Sequence, residues 1–385
     1  MKKVLFFLFT FLVVSNCFGQ GLVWNRVHME KIKSMQNNGN REIKASLNLL
    51  KKQADAFVSL KDILNVVNKQ KTAVSDDLHD YVSMATYYWP NPNVRSGIPY
   101  IRKDGKTNPE VNKIRDLHNL TSLCKRVEVL SLAFYYFGDR KYADKANSLL
   151  RGWFIDTKTK MNPNFDHAQF IRGKNKGRIE GIVEARNFVN LLDGVLLLKS
   201  KNGITNADYL SIKNWFTSFL NWMENNNTGR MGDRLSNNIG TCYQLQKLTY
   251  SIFTGKNQLD RIVENGLKPL LDKQFDEKGG QEEELSRTKP IQYSIANLDY
   301  WGKIELILRN RNYSSDFIDK NIFDGLNYIN NSSLKGENLD NSHAGKISRM
   351  NKKYEKINNN IKTQKTSTSN TLSLEDVISL LTIDQ

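Results

Sequence analysis

The chain has 385 residues, 39% of them hydrophobic, and carries 56 Lys and Arg against 40 Asp and Glu, a formal charge of +16. A chain of that length buries a sizeable core as one large domain or two, which excludes a mini-protein. The charge asks for an acidic partner, and with no recognisable nucleic-acid-binding motif the expected partner is acidic polysaccharide rather than nucleic acid, a solvated basic face being the ordinary alternative.

Met1-Lys2-Lys3, the apolar run Val4 to Val14 and the small residues Ser15 to Gly19 read as a secretory signal peptide over 1–19, cut near Gly19-Gln20. The expected location is therefore outside the cytoplasm, periplasmic or secreted. A lipoprotein anchored through Cys17 ranks second, because Asn16 is a poor residue before a lipidated cysteine. No other apolar run is long enough to cross a membrane. Past the signal only Cys124 and Cys242 remain, which excludes a disulfide framework and favours two buried free thiols.

From Asn25 to Gln70 apolar residues recur at helical spacing between lysines, as outer scaffold. The segment Asp76 to Asn112 breaks that pattern with prolines, Gly97, Gly105 and a dense aromatic group, and reads as a long ordered loop. Tyr87-Tyr88-Trp89-Pro90 in that loop offers flat faces suited to sugar rings, against packing under the loop as the plain alternative. Leu120, Leu123, Val127, Leu130, Phe134 and Phe137 form one helical stripe ended by Gly138, and Lys141 to Phe154 follows as a second helix. Gly181 to Leu198 and Asp208 to Met223 are two further amphipathic helices. The helix–glycine–helix pattern then returns at Leu245 to Phe253, Gly255 and Gln258 to Leu271, with Ile291 to Leu308 after it. Strand-like alternation is scarce. Serial antiparallel hairpins, each hiding a face on the next, predict an all-α solenoid or a toroid around a central cleft. The expected division is a helical domain over 20–350 and, over 351–385, a polar link with a short apolar helix at Leu372 to Leu381.

The stretch Leu235 to Tyr243 places two adjacent carboxamides, Asn237 and Asn238, at the opening of a helix, where side-chain donors and free backbone N–H groups converge on an anion. Helix capping by Ser236 or Asn237 is the commoner use of such residues. No cluster has metal-ligand spacing and no Walker-type phosphate loop is present, so no cofactor is expected.

Several separated motifs resemble the alginate-lyase superfamily of helical-toroid polysaccharide lyases. They are His79-Asp80-Tyr81, Tyr88-Trp89-Pro90-Asn91-Pro92, Pro99 to Gly105 with Asn108-Pro109-Glu110, Met161-Asn162-Pro163-Asn164, Gly177-Arg178, Ala185-Arg186, Asn237-Asn238, and Arg287-Thr288-Lys289 with Tyr293-Ser294. Each is weak alone; their shared order from about His79 to about Trp301 is specific. The resemblance implies an (α/α) toroid, or incomplete barrel, and metal-independent β-elimination across C4–C5 of a uronic acid. It makes Tyr293 the proton carrier, its pKa expected to be lowered by a nearby guanidinium. Asn238, Asn237 and Arg287 would stabilise the enolate-like carboxyl group, where losing one donor costs about 3–4 kcal/mol in other enzymes. The superfamily usually has His directly after the paired asparagines; here stands Ile239, which transfers no proton. His167, with Asp166 beside it, is the leading substitute and His79 the second, and Tyr88, Trp89 and Arg178 are the expected substrate-binding wall. Competing outcomes are an oligosaccharide dehydratase that expels water from C4 and a non-catalytic uronate-glycan-binding protein.

Overall fold

The computed structural model describes residues 21–62, 64–332, 339–355 and 373–383. The expected signal segment lies outside them. Two helices, α1 (Arg26–Asn37) and α2 (Arg41–Ser59), replace the single helical stretch read from Asn25 to Gln70. Gly39, at φ 78°, turns the chain after α1, and Asn40 caps α2 by accepting the Ile43 N–H at 3.1 Å. A turn this short leaves the apolar periodicity almost in phase, which is why the break is silent in the pattern.

The 76–112 segment carries three short strands, β1 (Val82–Met84), β2 (Tyr88–Trp89) and β3 (Ile101–Arg102). β2 and β3 pair antiparallel, and β1 pairs in parallel with β4 (His167–Phe170). These two ladders pin the aromatic loop.

Helical hairpins make the rest. α3 (Asp116–Phe137) ends at Gly138, φ 72°, and α4 (Arg140–Phe154) returns beside it. α5 (Phe188–Ser200), α6 (Asn206–Asn225) and α7 (Asn238–Thr254) follow, with Gly255 at φ 78° stopping α7. The next helix is not regular: α8 (Leu259–Ile262) passes through a π turn at Val263–Leu267 into α9 (Lys268–Gln274). Pro269 has no N–H for the α-helical ladder, which accounts for the rewinding ahead of it. α10 (Glu282–Leu285), α11 (Pro290–Arg309), α12 (Asp316–Asn331), α13 (Asn341–Glu355) and α14 (Leu374–Thr382) complete the chain. α3 packs on α4 and α5, α6 on α7, α7 on α11, and α11 on α12 and α13. The fold is all-α, an (α/α) toroid of antiparallel hairpins, and no helix among the described residues is long and apolar enough to cross a membrane.

Its densest core joins α4, α5 and α6 through Phe154, Phe188, Trp215, Phe216 and Phe219; Trp215 and Phe219 stack with centroids 5.2 Å apart. Each such ring contributes roughly 2–3 kcal/mol by burial. Cys124 and Cys242 are buried and unbridged. Residues 351–355, read from the sequence as the start of a polar link, instead continue α13 and bury Tyr354; the rest of that link, to 370, lies outside the described residues. α14 lies against α1 and α2, where Leu381 is fully buried and its carbonyl accepts from Tyr136 Oη at 2.7 Å.

The segment Leu22–Trp24 is also buried, and its three consecutive N–H groups point at one carboxylate, Asp193 of α5, at 2.6, 2.8 and 3.2 Å. Asp193→Ala strands these donors. At about 1–3 kcal/mol for a buried polar group left unpaired, the variant is expected to lose at least about 3 kcal/mol of unfolding free energy. Urea unfolding followed by circular dichroism measures it, and an unchanged midpoint refutes it.

Candidate active site

The N-terminus of α7 holds the two carboxamides. Asn237 is the cap: its Oδ1 accepts the Ile239 N–H at 3.1 Å and its carbonyl accepts Gln274 Nε2 at 2.9 Å. The capping reading therefore holds for Asn237, and its amide nitrogen is the part the cap does not use. Asn238 begins the helix, 8% exposed, and donates its backbone N–H to Glu284 Oε1 at 2.6 Å. Gly240 permits this packing, since a Cβ there would stand 2.0 Å from the Leu235 carbonyl oxygen. Ile239 packs against the hydrophobic core, so its position supplies no proton carrier.

Glu284 sits on α10, one turn before Arg287. The Arg287 guanidinium lies 4.0 Å from the centroid of the Tyr293 ring, and Tyr293 Oη donates to Tyr87 Oη at 2.9 Å. Arg287 is fixed from the far side by Asp104, through Nη2 at 3.0 Å and Nε at 3.3 Å. Asp104 also accepts from Thr288 Oγ1 at 2.9 Å and pairs with Arg102 at 2.7 Å. Gly105, at φ 70°, makes that approach possible, because a Cβ would meet Thr288 Oγ1 at 2.6 Å. One run of contacts thus connects Asn238, Glu284, Arg287, Tyr293 and Tyr87.

Electrostatics correct one expectation. Burial first, and then the bond to Tyr87, push the Tyr293 phenol well above its ordinary value against the pull of Arg287. The guanidinium faces the ring and is paired with Asp104, so its lowering pull on Tyr293 is outweighed in the resting protein. Asp104 orders Arg287: burial opposes ionisation of Asp104, but hydrogen bonds from Arg287 and Thr288 outweigh it and hold its carboxyl below the carboxylate range.

Tyr88 lies between two cations, with Arg178 Cζ 5.4 Å and Lys174 Nζ 5.7 Å from its centroid. Arg178 is held by Gln169 Oε1 at 2.7 Å and Glu180 Oε1 at 3.0 Å. Trp89 donates its indole N–H to the Lys106 carbonyl at 2.9 Å, and Lys103 Nζ stands 5.4 Å from its ring centroid. Among the described residues, Lys103, Lys106, Lys174 and Lys289 make no ion pair, so this wall presents net positive charge.

Neither proposed substitute base joins the Tyr293 group. His167 pairs across from Val82, at the end of the β1–β4 ladder away from Tyr87. Its Nε2 is 3.3 Å from Asp80 Oδ2 and its Nδ1 is 3.3 Å from the Lys176 carbonyl. Asp166, expected to act on His167, accepts from Trp222 Nε1 at 2.9 Å instead. His79 props two loops together through Nδ1 against the Lys160 carbonyl at 2.6 Å. The sequence assigned no role to Asp104 or Gln169, and it offered Tyr87 as a sugar-facing ring rather than as the partner of Tyr293. Gln169 alone announces itself locally in the structure, as a buried non-glycine at φ 50°. Asp104 stood inside a quoted motif, but its partner is 183 positions away.

Among the described residues, no group of three His, Cys, Asp or Glu is placed to hold a metal ion. The family model described as alginate lyase matches residues 65–338. An alginate lyase from Bacteroides ovatus has a similar structure, with a TM-score of 0.80, 28% identity, and coverage of 88% of this chain and 92% of that one. Alginate lyase A1-III from Sphingomonas species A1 shares the fold alone, with a TM-score of 0.50 and 11% identity over 87% of this chain and 95% of that one. A curated relative, UvrABC system protein B of Streptococcus pyogenes, is 40% identical over 98 residues, 24% of this chain, and the match spans only 14% of that protein.

Proposed function

The chain belongs to the alginate-lyase family of carbon–oxygen lyases, and from that premise we propose that it performs β-elimination at a uronic acid of an alginate-type acidic polysaccharide or oligosaccharide. The observation that carries this reading is the unbroken contact run from Asn238 through Glu284 and Arg287 to Tyr293 and Tyr87. It supports a site where groups suited to bind a carboxylate lie near a phenol suited to carry a proton.

In the proposed reaction the uronate carboxylate meets the Asn238 and Asn237 amide nitrogens and Nη1 of Arg287, the guanidinium nitrogen that Asp104 leaves uncommitted. These groups stabilise the charge that grows on the carboxyl group as C5 loses its proton. Tyr293, as phenolate, takes that proton. The C4–O bond then breaks, the C4–C5 double bond forms, and Tyr293 returns the proton to the departing oxygen. With Ile239 packed against the core and His167 paired with Asp80, one tyrosine serves both transfers. Tyr88, Trp89 and Arg178, with the unpaired lysines around them, form the wall that receives neighbouring sugars and their anionic groups. The signal-like segment 1–19 supports export toward such a substrate.

Incubation with alginate, glucuronan and ulvan polymers and oligomers, followed by the absorbance of the new double bond and by product chain length, tests the proposal. Double bonds with shorter chains are the expected result. Double bonds at unchanged chain length identify water as the leaving group, hence a dehydratase. Tight binding with no absorbance on any polymer refutes catalysis and leaves a glycan-binding protein.

A further inference from the structure

Two acceptors in this site are enclosed without a partner: Oε2 of Glu284, a residue 1% exposed, and Oδ1 of Asn238, 8% exposed. They belong to residues already in direct contact, since Glu284 Oε1 takes the Asn238 backbone N–H. A buried acceptor without a partner costs free energy, and one proton carried on Glu284 would supply a donor for the pair. We propose that Glu284 is a positioning residue: as the neutral acid it donates from Oε2 to Asn238 Oδ1, and so turns the Asn238 amide nitrogen toward the uronate carboxylate. This rests on the elimination reading for its use, though not for its existence.

Ionised Glu284 would reverse the arrangement. A carboxylate accepts only, so the amide would present its nitrogen inward to Glu284 and its oxygen to the substrate, where oxygen repels the carboxylate. The surroundings favour the acid form. Burial pushes the Glu284 carboxyl up to about 7, against the Asn238 N–H and the Arg287 charge, and Glu283 pushes in the same direction as burial. The charged groups facing Glu284 are Arg287, itself neutralised by Asp104, and Glu283; α7 contributes no charge at its first turn, and α11 contributes Tyr293, held as the phenol.

Glu284→Gln is a permanent copy of the acid form, with a donor for Asn238 Oδ1 and an acceptor for the Asn238 N–H. Two readouts on the full chain separate this proposal from the function it serves. In thermal unfolding, wild type is expected to lose stability as pH rises from about 5 to about 8, because the folded state holds a proton that the unfolded chain releases earlier. Glu284→Gln lacks that loss, so its Tm advantage grows with pH; a difference that stays constant overturns the proposal. In turnover or, if no polymer is turned over, in calorimetric binding of an alginate tetramer, Glu284→Ala is expected to fall at least tenfold and Glu284→Gln to stay within threefold. Glu284→Gln should also lack the wild type's decline above about pH 7. A Gln variant as impaired as Ala shows that the charge is needed and overturns the assignment. Loss of turnover in every form, with the Tm and binding results intact, overturns the elimination reading alone.

Discussion

Tyr293→Phe is expected to lower kcat by about 10²–10⁴-fold, the range for removal of a group that transfers a proton in the rate-limiting step, while uronate oligomers still bind. The substitution deletes one oxygen and keeps the ring under Arg287, so the cleft retains its shape and its carboxylate-binding groups. In the unliganded protein burial and the Tyr87 bond hold Tyr293 as the phenol. That is the form needed to protonate the departing oxygen. The form needed to remove the C5 proton becomes more abundant as pH rises, so wild-type kcat is expected to climb toward alkaline pH until Glu284 ionises. Initial rates of double-bond formation across pH, with binding measured by calorimetry, check both statements. His167→Gln is the control, and a loss there equal to that of Tyr293→Phe would move the proton transfer to the Asp80–His167 pair.

Arg287→Ala carries the second large effect. A charged donor aimed at a developing enolate supplies about 3–4 kcal/mol in comparable sites, so kcat/KM is expected to fall by roughly 10²–10³-fold. The variant also strips the cation from the face of Tyr293 and leaves Asp104 with Arg102 and Thr288 only. Asp104→Ala separates orientation from charge. It leaves the guanidinium but frees it to swing, and a misplacement of about 1 Å is worth up to about 10²-fold, so its loss should be the smaller of the two. The kcat and KM of both variants measure this order. An Asp104→Ala variant that matches wild type would show that Arg287 needs no fixing.

Some of this was legible in the chain. Hairpins, the Gly138 and Gly255 stops and the apolar stripes are written in neighbouring residues, because helix periodicity and a left-handed cap are local chemistry. The breaks at Gly39 and at Pro269 were harder to read, since a short turn or a single rewound turn leaves the apolar pattern almost in phase. The motif order pointed to Asn238, Arg287 and Tyr293, and the structure gathers them.

What each residue does there was decided only by tertiary packing. Asn237 and Asn238 are adjacent and chemically identical, yet one spends its oxygen on the helix cap and the other has its oxygen enclosed without a partner. The partner of Arg287 comes from 183 positions away and that of Tyr293 from 206. His167 stands apart from Tyr293 because the β1–β4 ladder carries it to Asp80. The direction of the Tyr293 shift likewise follows from burial, and burial exists only once distant segments close over the site. Local sequence determines which turns form and which groups are present. The dielectric around those groups and the identity of their partners depend on how the loops between the helices meet.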